Sequence, residues 1–162
     1  MLVKTVLCLT LLFFTSSVGY AFASKYRKRK QFFTQFNEFN QKFLQELAYC
    51  KRPLKEFLEL YVYKSDFLAL LEEYRKKIGE DNFFNEYFSL NTFLTLEEEK
   101  FIIEYFKQLG KGDTDSQKSL FSNRAKELEL MKNNAEKEHK KYAELYVKLG
   151  VLVGLAIIII II

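Results

Sequence analysis

The residues that could do chemistry are few and dispersed. His139 is the only histidine, so a histidine-rich metal site or a pair of imidazole bases cannot be built from one copy of the chain. It sits among Lys137, Glu138, Lys140 and Lys141, a setting that reads as a solvated helix face. Glu72, Glu73, Glu80, Asp81, Asp113 and Asp115 offer carboxylates for acid–base work, but each lies where helix capping or surface solvation already accounts for it. Gly110-Lys111 with Thr114 nearby has the look of a phosphate loop. That loop requires a glycine five residues before the Gly-Lys pair and a strand leading into it. Position 105 is Tyr, and the residues before it have helical periodicity. Cys8 and Cys50 form no framework of spacings. Nothing in this inventory implies an enzyme, a metal or a cofactor.

The elements are far more legible than any chemistry. Leu149–Ile162 contains no charged or strongly polar side chain, and six isoleucines run consecutively. Counted from Leu145 the stretch is about 27 Å of helix, close to the roughly 30 Å of a hydrocarbon core. Tyr146 then falls in the interface, and Lys148 can snorkel to the headgroups. A second apolar stretch, Leu2–Ala23, is broken only by Lys4, a few hydroxyls and Gly19. Five basic residues, Lys25, Arg27, Lys28, Arg29 and Lys30, follow it within six positions.

Two readings of the first stretch compete. One is a retained transmembrane helix with a cytosolic basic flank; the other is a signal peptide cleaved after Ala21-Phe22-Ala23. The first is favoured, because a basic cluster directly after the apolar run opposes translocation. Lys137, Lys140, Lys141 and Lys148 give the second segment its basic flank on the same, central side. Membrane lipid is thus an expected partner, and nucleic acid is not. The net charge is a modest +4, with most of the excess in residues 25–30.

Between the apolar ends, Phe and Tyr are plentiful (17 and 10), Trp is absent and Pro occurs once. Few breakers and many Lys, Glu, Leu and Phe predict helices throughout. Phe32, Phe33, Phe36, Phe39, Phe43, Leu44 and Leu47 form one face of a helix from Gln31 to Cys50, with Asn37, Glu38, Gln41, Lys42 and Gln45 opposite. Lys51-Arg52-Pro53 should break it. Further helices are expected at Pro53–Lys64, at Phe67–Ile78 with Ser65 or Asp66 as cap and Gly79 as the C′ residue, and at Asp81–Leu90.

Thr95 and Glu98 fit a capping box at the start of the next helix. Glu97, Glu98 and Glu99 are also a candidate acidic, partner-facing patch. Thr114 with Gln117 predicts a second capping box after the 110–113 turn. From Asp115 to Gly150 no breaker appears, and Phe121, Ala125, Leu128, Ala135, Tyr142, Tyr146 and Leu149 follow a seven-residue repeat. Gly150 and Gly154 make a GxxxG for close membrane-helix packing, either on the Leu2–Ala23 helix or between copies.

The expected fold is therefore all-α, a bundle of about six helices between two transmembrane helices. The expected divisions are 1–24, 25–144 and 145–162.

Four stretches make the chain similar to the stage III sporulation protein AB family of endospore-forming bacteria. They are the N-terminal apolar segment with Gly19 and its basic run; Leu44–Leu54; Leu109–Gln117, similar to "LGxSDxxGQ"; and Leu145–Leu155, similar to "LYxxLGVLxGL". Arg52 stands where the family has Thr, Gly112 where it has Ser, and Ser116 where it has Gly. The resemblance implies a central domain like the cytoplasmic helical domains of type II secretion and type IV pilus F proteins. It further implies a platform subunit, self-associating or not, of a secretion-like complex between mother cell and forespore. The implied partners are other subunits and a cytosolic secretion-type ATPase. The alternative reading is a cleaved, C-terminally anchored extracytoplasmic adaptor.

Overall fold

A computed structural model describes residues 2–50, 52–78, 84–90 and 92–161. Among these the secondary structure is entirely helical. Helix α1 spans Leu2–Gln45 and ends in a π-turn at Glu46–Cys50; α2 is Leu54–Leu60, α3 Ser65–Lys76, α4 Asn85–Leu90 and α5 Leu96–Gln108. Helix α6, Thr114–Glu138, runs through a π-turn at His139–Ala143 into α7, Glu144–Ile161. The expected C′ residue Gly79, the break residue Lys51 and the start of the expected helix at Asp81 lie outside the described residues. The chain divides into two compact units, residues 1–30 with 134–162, and residues 31–133.

Residues 31–133 are built on the phenylalanine stripe of α1. Phe32, Phe33, Phe36, Phe39 and Phe43 are all buried. Phe36 packs edge-on to Tyr105 (4.8 Å between centroids) and against Phe67 (5.5 Å) and Phe106 (5.8 Å). Phe43 packs edge-on to Phe121 at 5.0 Å. Such offset and perpendicular contacts follow from the ring quadrupole. Asn37, expected on the solvent face, is buried. Asn40 is fully buried as well: its amide donates to the Phe121 carbonyl (3.3 Å) and accepts from the Tyr105 hydroxyl (2.8 Å).

Several local expectations hold and several do not. Thr95 caps α5, its side chain accepting from Glu98 N–H while Glu98 accepts from Thr95 N–H. Helix α2 stops short of Lys64, because Tyr61 turns extended and Tyr63 is drawn into the core beside Phe67 (5.2 Å). The Gln35 side chain then holds Lys64 like a paired strand, accepting from its N–H (2.6 Å) and donating to its carbonyl (3.1 Å). With that register fixed, neither Ser65 nor Asp66 caps α3. Lys64 occupies the cap position without a side-chain hydrogen bond, and Ser65 takes a positive φ of 51°.

At the start of α6 the cap is Asp113, not Thr114. Its carboxylate accepts from the N–H groups of Asp115 (3.1 Å) and Ser116 (2.9 Å) and from the Ser116 hydroxyl (2.6 Å). Those bonds, the hydroxyl's first, hold the Asp113 carboxyl below its usual range.

In residues 1–30 with 134–162, the first and last helices pair. The basic run does not separate a membrane helix from a soluble one; Lys and Arg are good helix formers, and α1 continues through them. The helix after Asp115 carries no break, as its sequence predicts, but it passes through the π-turn at His139–Ala143. A π-turn carries one extra residue past each turn, and it shifts the inward stripe by one. Ala135 is buried before the turn; Ala143, not Tyr142, is buried after it. Leu149, expected inward, is 43 % exposed, and Gly150 takes its place on the seam.

Candidate functional site

The seam between α1 and α7 is set by side chains that are missing. A Cβ added to Gly19 would stand 2.6 Å from the Tyr146 carbonyl oxygen and 3.2 Å from the Gly150 Cα. One added to Gly150 would stand 2.8 Å from the Thr15 carbonyl oxygen, and one on Gly154 would strike the Thr15 hydroxyl. Backbone therefore lies on backbone across three successive turns. Of the two uses open to Gly150 and Gly154, the structure shows the intrachain one, with Gly19 and Thr15 as the opposing surface. Both helices are long and apolar enough to cross a membrane.

Past the glycines the seam becomes aromatic and then charged. Phe22 stacks on Tyr146 (5.8 Å), and Tyr26 stacks on both Tyr142 (5.3 Å) and Tyr146 (5.9 Å). Stacked rings at this level match the interfacial belt of a bilayer. Arg29 pairs with Glu138. Arg27 folds back toward the apolar segment, donating to the Tyr20 hydroxyl (2.6 Å) and covering its ring. Lys25 and Lys28 are exposed and Lys30 is half-buried. Partial burial, with Lys30 and Arg27 nearby, lowers the His139 pKa below its ordinary value.

A second constellation lies at one end of residues 31–133. Leu47 and Ala48 of the first π-turn line a hollow with Asp113, Thr114, Asp115 and Lys118. Gly110, with φ of 74°, sits so close to Leu54 that a Cβ would be 2.8 Å from its Cδ2. Buried side chains hydrogen-bond to both stretches. The Gln117 side chain is buried, accepting from Gly110 N–H (3.1 Å) and donating to the carbonyls of Gln108 (2.9 Å) and Lys111. Glu46 is buried and accepts from the Arg52 N–H (3.2 Å), with the guanidinium 3.5 Å away. Tyr49, between them, is 85 % exposed. Hydrogen-bonded loops that display a large aromatic side chain suit recognition.

The stage III sporulation protein AB family description matches residues 4–162. The chain belongs to that family. No curated relative and no solved structure matches it. Membership gives this AB-family protein a role in stage III of sporulation, and its two long apolar helices agree with a membrane protein.

The family stretches quoted above acquire positions in the fold. Leu44–Leu54 and Leu109–Gln117 meet at the hollow, and Gly19 meets the Leu145–Leu155 stretch at the seam. The acidic triplet is not a uniform patch. Glu98 is turned inward by the capping box and buried, whereas Glu97 is exposed. Glu99 is half-buried, and desolvation, then the charge of Glu98, raises its pKa. Gln117, expected to share a capping box with Thr114, staples the loop instead, and Thr15 is the floor under Gly154. Gln117 carried a signal, standing among glycines beside a helix start; Thr15 looked like any hydroxyl in an apolar run.

Proposed function

We propose that this AB-family protein is a non-enzymatic platform subunit of a secretion-like complex joining mother cell and forespore. It is held in the mother-cell-side membrane around the forespore, with residues 31–133 in the cytosol, where they meet a secretion-type ATPase and other subunits. The observation that carries the reading is the Gly19–Gly150 seam. Cleavage after Ala23 would strip Gly150 and Gly154 of the Gly19 and Thr15 backbone they fit against. A retained α1 supports two spans, and both apolar segments carry their basic flanks toward residues 31–133 in the sequence. The corner around Tyr49, Asp113 and Asp115 is our partner-facing surface for the motor, with Glu97 as the remaining outward acidic residue of the triplet.

The test is thiol accessibility in intact cells, with one reporter cysteine at the exposed Asn133 in a Cys8→Ala, Cys50→Ala background. A cytosolic platform keeps that thiol protected from an impermeant reagent until lysis, and its N-terminus is not shortened. Labelling from outside, with a mature chain starting at Ser24, would instead establish the anchored adaptor.

A further inference from the structure

The paired helices leave a groove of about 360 Å³ along one side of their seam. Its walls are Phe14, Val18 and Phe22 of α1 and Leu149 and Val153 of α7, and its floor is the glycine contact. The floor offers no free polar group: the Thr15 hydroxyl is spent on its own helix, donating to the carbonyls of Leu11 (3.2 Å) and Leu12 (3.1 Å). The groove follows the helices toward the Tyr26–Tyr142–Tyr146 stack. Lys25 stands on the same stripe of α1 as Val18, two turns on, and is exposed.

We propose that this groove binds one acyl chain of an anionic phospholipid, whose phosphate is held by Lys25. In a bilayer an apolar cleft between two helices is filled, and the occupant gains dispersion contact rather than escape from water. The protruding Phe14 and Phe22 rings, 70 % and 60 % exposed, wall in a slender chain better than a third helix with its own side chains. The charge at the groove's interfacial end decides the headgroup. A zwitterionic lipid gains little from Lys25, whereas an anionic one gains an ion pair.

This rests on membrane insertion, which resistance to carbonate extraction tests separately. The full-length protein, purified in mild detergent, is titrated with dioleoyl phosphatidylglycerol or dioleoyl phosphatidylcholine and observed by native mass spectrometry. The expected result is one retained phosphatidylglycerol, favoured about fivefold over phosphatidylcholine. Lys25→Gln should reduce that preference to near parity while phosphatidylcholine retention stays the same. Val153→Phe, which fills the groove, should abolish retention of both. Equal retention of the two lipids by the unaltered protein would overturn the proposal. So would phosphatidylglycerol binding that survives Val153→Phe, or a dimer that Val153→Phe disrupts, which would make the occupant a helix of a second copy.

Discussion

Residues 31–133 and the α1–α7 pair solve the same problem, holding helices together, with opposite side chains. The first uses bulk: Phe32, Phe36, Phe39, Phe67 and Tyr105 interlock where water would otherwise sit against them. The second uses absence: Gly19, Gly150 and Gly154 let backbones touch, while Phe13, Phe14 and Leu152 point outward. On the proposed placement of the pair in a membrane, the contrast follows from solvent. In water, burying a phenylalanine is worth up to about 3 kcal/mol; in lipid the surroundings are as apolar as the side chain, and association comes from close fit. Large apolar residues thus mark the inside of one region and the outside of the other.

Reversing each device should damage only its own region. Phe36→Ala should cost residues 31–133 about 3–5 kcal/mol, read as a lowered unfolding midpoint by near-ultraviolet circular dichroism in detergent. In the same sample, a cysteine pair replacing Phe22 and Tyr146 in the Cys8→Ala, Cys50→Ala background should still crosslink. Gly150→Leu should do the reverse. Overpacking of about 1–3 kcal/mol or more pushes α7 from α1 and suppresses that crosslink severalfold, with the aromatic circular dichroism of residues 31–133 intact. Loss of both signals in either variant would mean the two regions do not hold themselves independently.

How much of this could be read in the sequence depends on whether a feature is local. The Phe32–Phe43 stripe and the Thr95–Glu98 capping box are spacings within one or two turns, and both were legible. The π-turn at His139–Ala143 was not. No residue there breaks a helix, and only packing on each side of the turn demands the extra residue. The seven-residue repeat therefore ran one position out of step, pointing Leu149 inward where Gly150 belongs. Glycine spacing revealed that Gly150 and Gly154 approach something; that the something is Gly19 with Thr15 required three dimensions. Arg52, a departure from the family pattern, turns out to hold the buried Glu46.

The buried Asn40–Tyr105 pair was equally hidden, since asparagine on a helix is usually solvated. It sharpens the comparison, because it is a polar bond inside the region that relies on apolar bulk. Tyr105→Phe removes the donor and strands the Asn40 carbonyl oxygen, so about 1–3 kcal/mol of stability should be lost. Adding Asn40→Leu removes the stranded amide, and the double variant should recover part of that loss in the same unfolding measurement. Strictly additive losses would show that the hydrogen bond is not what couples the two residues.

The smallest effect expected belongs to the paired helices and is read by pH. His139 is partly buried, and Lys30 and Arg27 outweigh Glu144 and Glu136 in the opposite sense, so its folded pKa lies below the ordinary value. Across the window just under about 6.5, the unfolded chain then binds more protons than the folded one, and stability rises with pH there. The contribution is complete with His139 neutral and shrinks as acidification charges the ring beside two cations. Comparing pH 7.5 with about pH 5.5, a pair of spin labels replacing Phe22 and Tyr146 should therefore separate at a lower temperature in the more acidic buffer. His139→Gln should lessen that difference while leaving the pH response of residues 31–133 unaltered. An identical pH slope in the His139→Gln protein would mean that His139 is not the group through which acid loosens the paired helices.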